Sequence, residues 1–236
     1  MAQREIRRDV VIFRKWQFVD QRDVGQKLVA VLPDLDLATA VVMVLPHGGV
    51  TVAEEICKPH QLPLNLVFVR KIGVLSKPEN AIGAIFDGAN PKVVDNHDIA
   101  RQVGLSDQKV NRMGYAVLSE IARRKALYFH GLRRPDLKGK TIVVADDGAV
   151  TGATLQASKL ALKGCGVTRI IMALPKAPPT ALASLRGLVY DTICLYQPTP
   201  FREVGNAYQS FRQNSDLDVT DALERRARFL SAQEGA

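Results

Sequence analysis

The chain has 236 residues, of which 47% are hydrophobic and 24% charged, and 32 basic against 24 acidic residues give a formal charge of +8. A chain of that length buries a full core as one domain, and its apolar share excludes disorder as the default state. Three scattered cysteines, Cys57, Cys165 and Cys194, exclude a disulfide framework or a complete zinc site, and the positive charge points to an anionic partner, a phosphorylated small molecule or a nucleic acid.

The first residues, Met1 to Asp9, are charged and resemble no secretory leader, and no apolar run is long enough to span a bilayer, so a cytoplasmic protein without a membrane partner is expected. Residues 6 to 18 mix apolar and basic side chains and include the single tryptophan, Trp16. Between Asp20 and Pro33, Val24, Leu28, Val31 and Leu32 recur at helical spacing, and the proline stops the helix. Ala40 to Leu45 reads as a buried strand ending in Pro46-His47-Gly48-Gly49, with a helix from Val50 to about Cys57. Two glycines at a strand's carboxyl end let backbone approach an anion and aim N–H groups at it. Leu64 to Val69 reads as a third strand that leads into Arg70 and Lys71, a cation pair suited either to a bound anion or simply to a solvated loop. Ser76 to Asn80 is polar and is expected to be a lid, with Ala81–Ile85 and Lys92–Val94 as a hairpin behind it. Ser106 is an N-cap for a helix through Val110, Met113, Val117 and Ile121, which presents Arg112, Arg123 and Arg124 to solvent or to a neighbouring subunit.

The stretch from Thr141 to Thr154, TIVVADDGAVTGAT, holds the densest chemistry. Its apolar run is a buried strand, and Asp146 and Asp147 fall at the carboxyl end, where open α/β sheets bind ligands. The turn from Gly148 to Thr154 offers backbone N–H groups and two hydroxyls at a helix N-terminus, a place that favours phosphate. The acids would repel phosphate and suit sugar hydroxyls or a hydrated divalent cation. A helix from Ala153 to Lys163 capped by Gly164, a strand from Arg169 to Leu174 closed by Pro175, a helix from Pro178-Pro179 to about Arg186 and a strand from Tyr190 to Leu195 complete an alternating pattern. That alternation implies a doubly wound parallel sheet. In the tail, Phe201, Val204, Gly205, Tyr208 and Phe211 either pack or face a ligand, and Arg225, Arg226 and Arg228 read as a solvated helix face.

The acid pair followed by T-G-x-T, carried by Asp146, Asp147, Thr151, Gly152 and Thr154, resembles the 5-phosphoribosyl 1-diphosphate (PRPP) motif of type I phosphoribosyltransferases. The patterns Phe18-x-Asp20-x-Arg22-Asp23-x-Gly25, Pro46-His47-Gly48-Gly49, Arg70-Lys71-x-Gly73 and Phe201-x-x-Val204-Gly205-x-x-Tyr208-x-x-Phe211 resemble bacterial predicted phosphoribosyltransferases of unassigned substrate. The resemblance implies one α/β domain over residues 1–236, a core of about 20–196 with a small hood made from the terminal segments 1–19 and 197–236.

It also implies a Mg²⁺-dependent transfer of phosphoribose from PRPP to a small nitrogenous acceptor, and a homodimer. Asp146, Asp147 and Lys71 would be catalytic, the acids reaching the metal through water or ribose. Gly148, Ala149, Val150, Thr151, Gly152, Ala153 and Thr154 would hold the 5-phosphate. His47, Gly48, Gly49 and Arg70 would hold pyrophosphate, and Phe201 and Tyr208 would stack on the acceptor. Where the group more often has Arg, this chain has His47, and the resemblance places a cis peptide between Pro46 and His47. The alternative from another class is a regulator that senses PRPP or a nucleotide and binds nucleic acid through its basic surface.

Overall fold

The computed structural model describes residues 9–13, 18–36, 38–74, 77–86, 92–95, 104, 106–149, 155, 158, 162, 165–185 and 189–234. Its centre is a six-stranded parallel sheet in the order β1 (Asp9–Phe13), β9 (Asp191–Tyr196), β8 (Arg169–Lys176), β7 (Thr141–Ala145), β2 (Ala40–Val44), β3 (Leu64–Leu66). The interior strands read as unbroken apolar runs because both faces are covered. Val42, Val44, Val143, Ala145, Ile171 and Ala173 pack into a layer with α1 (Gln21–Val29), α2 (Val50–His60) and α5 (Asp216–Glu234). Val41, Met43, Ile142, Val144 and Met172 face the other way, onto Leu155 and Leu162 of the crossover after β7 and onto α4 (Pro179–Leu185). The doubly wound sheet expected from the alternation is the fold observed.

Local chemistry explains the helix starts. Asp20 caps α1, accepting from the Asp23 N–H at 2.9 Å, while Asp23 accepts from the Val19 N–H at 3.1 Å, and the two bonds fix the entry to the helix. Ser106 caps α3 (Asp107–Phe129) as its position in the sequence implies, accepting from the Lys109 N–H at 3.4 Å. Helix α5 carries the arginines read as a helix face, and its start, left without bounds by the sequence, has a local signal: Ser215 and Asp218 cap one another, the Ser215 N–H donating to Asp218 at 2.7 Å and the Asp218 N–H to Ser215 Oγ at 3.2 Å. Val219, Ala222 and Leu223 bury its inner face. Arg226 lies on that face, only 8% exposed, with Nε donating to the Leu62 carbonyl at 2.5 Å. The solvated reading therefore holds for Arg225 and Arg228, paired with Glu54 and Glu224, and fails for Arg226.

Several boundaries move. Residues 9–13, expected in the hood, form an edge strand of the main sheet beside β9, and Phe18 then makes a parallel bridge to Tyr208 in the tail. Strand β8 runs through Pro175 to Lys176, because β9 continues alongside and Lys176 pairs with Tyr196. After Leu66 the chain leaves the main sheet, and β4 (Val69–Val74), β5 (Lys77–Phe86) and β6 (Lys92–Asp95) form a separate antiparallel sheet. The expected hairpin is β5–β6. The expected lid is not a loop within the described residues: Lys77 to Asn80 open β5, and Lys77 pairs with Val74.

Candidate active site

The sheet order reverses between β2 and β7: β3, which follows β2 in the chain, lies on one side of it and β7 on the other. Crevices outside the carboxyl ends of strands at such a reversal are where open α/β sheets take ligands. The register pairs Val44 with Ala145, so the two strands end level and the segments that follow, Pro46–Gly49 and Asp146–Asp147, meet. They meet closely. A Cβ on Gly48 would lie 2.4 Å from Asp146 Oδ1 and 3.2 Å from Asp147 Oδ1, and one on Gly49 would lie 2.5 Å from Asp146 Cα. Only glycine permits this contact, which sets the acid pair beside the start of α2, where first-turn N–H groups have no intrahelical partner.

Asp147 is 9% exposed, and its N–H donates to Asp146 Oδ1 at 3.0 Å. Burial pushes the Asp147 carboxyl up to about 6. Burial, then the neighbouring Asp147 charge, holds Asp146 well above the usual carboxylate range. Two adjacent acids in that condition carry poorly solvated charge, which hydroxyl donors or a cation would relieve. No group of three or more His, Cys, Asp or Glu that could hold a metal occurs among the described residues. Asp146 and Asp147 alone fit a hydrated divalent ion whose other ligands are water or substrate oxygens.

Gly148 continues the acid segment at φ +150°, where an added Cβ would lie 3.0 Å from Val204 Cγ1, and the Ala149 N–H donates to the Lys176 carbonyl at 2.9 Å. Val150, Thr151, Gly152, Ala153 and Thr154 lie outside the described residues. Lys176, at the same end of the sheet, is a candidate that the sequence reading missed by ending β8 too early. It is 3% exposed, its Nζ donates to the Glu203 carbonyl at 2.9 Å and sits 4.7 Å from the centre of the Phe201 ring, and burial lowers its pKa. Phe201 therefore does lie at this end of the sheet, with a buried lysine against its ring. The signal for Lys176 was the basic residue ending the run Arg169–Lys176, masked by the proline before it.

Tyr208 is placed differently from a stacking residue. It is 6% exposed, its ring packs against Phe18 at 5.6 Å and Phe211 at 5.1 Å between centroids, and its hydroxyl donates to the Asp147 carbonyl at 2.7 Å. Burial first, and then the charges of Asp147 and Asp146, raise its pKa, so it stays a donor. Arg70 and Lys71 stand inside β4, opposite Ile85 and Ala84, rather than at the end of a main-sheet strand.

The peptide between Pro46 and His47 is trans, which corrects the expected cis bond; among the described residues the cis peptide is Thr199–Pro200. The unusual geometry falls one bond later, as His47 adopts φ +73°. A non-glycine residue is uncommon there, although His is among the more tolerant types. The tail supplies the contacts that hold it: the Asn214 N–H donates to the His47 carbonyl at 3.1 Å, and His47 Nδ1 lies 3.0 Å from the Asn214 carbonyl.

The phosphoribosyl transferase domain model matches residues 30–205. Proteins from two Mycobacterium tuberculosis strains, whose own assignment as phosphoribosyl transferases is provisional, are 36% identical over 219 residues. The match covers 93% of this chain and 49% of theirs, so the chain spans about half the length of these curated relatives. The crystal structure of TT1426 from Thermus thermophilus superposes with a TM-score of 0.81 at 31% identity, covering 89% of this chain and 99% of that one. No helix among the described residues is long and apolar enough to cross a membrane. With the domain match and the identity agreeing, the chain belongs to the phosphoribosyl transferase domain family.

Proposed function

We propose that the protein transfers a phosphoribosyl group from PRPP to a small nitrogenous acceptor and releases pyrophosphate. The observation that carries this reading is the acid pair after β7 with the glycine loop after β2 docked onto it. One segment serves hydroxyls, the other serves an anion, and they meet at one crevice. In the transfer the bond from ribose C1 to a pyrophosphate oxygen breaks, a bond from the acceptor nitrogen to C1 forms, and the acceptor's proton leaves to solvent. The transition state places positive charge on the ribose, so buried carboxylates beside it contribute electrostatic stabilisation and orientation rather than a nucleophile.

In this reading Asp146 and Asp147 hold the ribose hydroxyls, and Tyr208 fixes Asp147 from beneath. Gly48, Gly49 and the first turn of α2 receive the pyrophosphate, with Arg70 and Lys71 as the cations assigned to it. Gly148 to Thr154 receive the 5-phosphate, a contact remote from the reacting carbon that helps orient it. Phe201, backed by Lys176, is the residue for the acceptor. A Mg²⁺ ion would be held by Asp146, Asp147 and substrate oxygens, and would supply charge neutralisation to the leaving pyrophosphate.

The test incubates the full chain with PRPP, Mg²⁺ and a panel of purine bases, pyrimidine bases and small amines, and measures pyrophosphate. Acceptor-dependent release that Asp147→Asn abolishes is expected. PRPP binding without release from any acceptor would replace the enzyme reading by that of a sensor. Unchanged PRPP binding in Asp147→Asn would overturn the site itself.

A further inference from the structure

We infer that His47, Tyr128 and Asp216 form a latch that sets the conformation of the loop after β2, so that His47 positions the pyrophosphate subsite without contacting the ligand. This rests on the proposed transfer from PRPP for its purpose, and on geometry for its existence. His47 Nδ1 is 3.0 Å from the Asn214 carbonyl, an oxygen that can only accept, so Nδ1 carries a hydrogen. Nε2 is 3.0 Å from the Tyr128 hydroxyl and 3.3 Å from Asp216 Oδ1, and that hydroxyl donates to the same carboxylate. Both ring nitrogens thus have partners within the protein.

Each partner comes from a different element. Tyr128 is in the last turn of α3, 1% exposed, stacked on Phe68 at 6.0 Å between centroids, and its pKa is raised by burial and by Asp216. Asn214 precedes α5, is 5% exposed, and ties the same segment to α2 by donating from Nδ2 to Thr51 Oγ1 at 2.9 Å. Asp216 is the first residue of α5. The latch therefore joins α2, α3 and α5 at the one residue of the loop with φ +73°. Gly48 and Gly49, on the other side of that residue, are the backbone that abuts the acids. An unusual dihedral fixed by side-chain contacts from packed elements is held in place for the residues next to it.

The experiment measures calorimetric affinities for inorganic pyrophosphate and for ribose 5-phosphate, each with Mg²⁺, in wild type, Tyr128→Phe, Asp216→Asn, His47→Gly and His47→Ala. It adds amide hydrogen exchange at Gly48 and Gly49. The latch variants Tyr128→Phe and Asp216→Asn are expected to weaken pyrophosphate by about fivefold, to leave ribose 5-phosphate within about twofold, and to speed exchange at both glycines. His47→Gly tolerates the left-handed dihedral and is expected to bind pyrophosphate about fivefold more tightly than His47→Ala, which does not. If His47 touched pyrophosphate directly, Gly and Ala would be equally weak and the two latch variants would bind like wild type; that pattern overturns the inference. Should the wild type bind neither ligand, the transfer reading fails, and the exchange rates still decide the latch: rates at Gly48 and Gly49 unchanged in Tyr128→Phe and Asp216→Asn overturn it. Asp216→Asn is the safeguard against misfolding, its side chain being 53% exposed.

Discussion

Asp146 and Asp147 are held side by side where two charges are unwelcome, and this cost belongs to the free protein. Asp147 shifts from its ordinary value of 3.8 up to about 6. Between those values the folded state binds more protons than the unfolded one, so stability falls as pH rises through the window and is level above it. Asp147→Asn removes the titration. We expect the variant to be more stable than wild type by about 3 kcal/mol above the window, and equal to it below the window, in melts followed across that range. A variant less stable than wild type at neutral pH would show that Asp147 serves the fold and not a ligand. Tyr208→Phe makes the opposite case. It removes the donor to the Asp147 carbonyl and leaves a buried acceptor short, at about 1–2 kcal/mol of stability by urea denaturation, with a weaker affinity for PRPP.

At the scale of elements, the site depends on how β2 and β7 hand over to their loops. Gly49→Ala tests that handover. Its Cβ would meet backbone, Asp146 Cα at 2.5 Å and the Ala145 carbonyl at 2.9 Å, which cannot swing aside as a flexible side chain does. A loss of about 2–4 kcal/mol is expected by urea denaturation, together with loss of PRPP binding. Full affinity would mean that the loop can retreat without harming the site. These two strand ends were legible in the sequence because periodicity and turn chemistry are local: an apolar run, then acids or glycines, has one reading in an alternating α/β chain. What stayed hidden depends on partners far away in sequence. Tyr208 reads as an aromatic of the tail until Asp147, 61 residues before it, supplies its acceptor. Arg226 reads as one of several surface basics until Leu62, 164 residues away, takes its N–H. The trans bond before His47 was beyond a resemblance to predict, because Asn214, Tyr128 and Asp216 decide how that residue is held.

For the whole molecule, the crevice gathers the ends of separate elements: β2 and α2 bring the glycine loop, β7 the acids, β8 Lys176, and the tail Phe201 and Tyr208. A ligand that satisfies the acids should therefore stabilise the entire domain. A ligand at one hundred times its dissociation constant adds about 2.7 kcal/mol. For a domain of this size each kcal/mol raises the melting temperature by about 2–4 °C, so PRPP with Mg²⁺ is expected to raise it by roughly 5–10 °C. The effect must depend on pH. Hydroxyls and a cation favour the ionised pair, so below about pH 6 binding has to expel a proton, and the shift should shrink as acid is added. Asp147→Asn, already relieved of its charge, should show a small shift at every pH. Scanning calorimetry of both proteins, with and without PRPP and Mg²⁺, from about pH 5 to about pH 8 gives the comparison. A wild-type shift independent of pH, or an equal one in the variant, would mean that the stabilising contact lies away from the acid pair and that the crevice between β2 and β7 is not where PRPP binds.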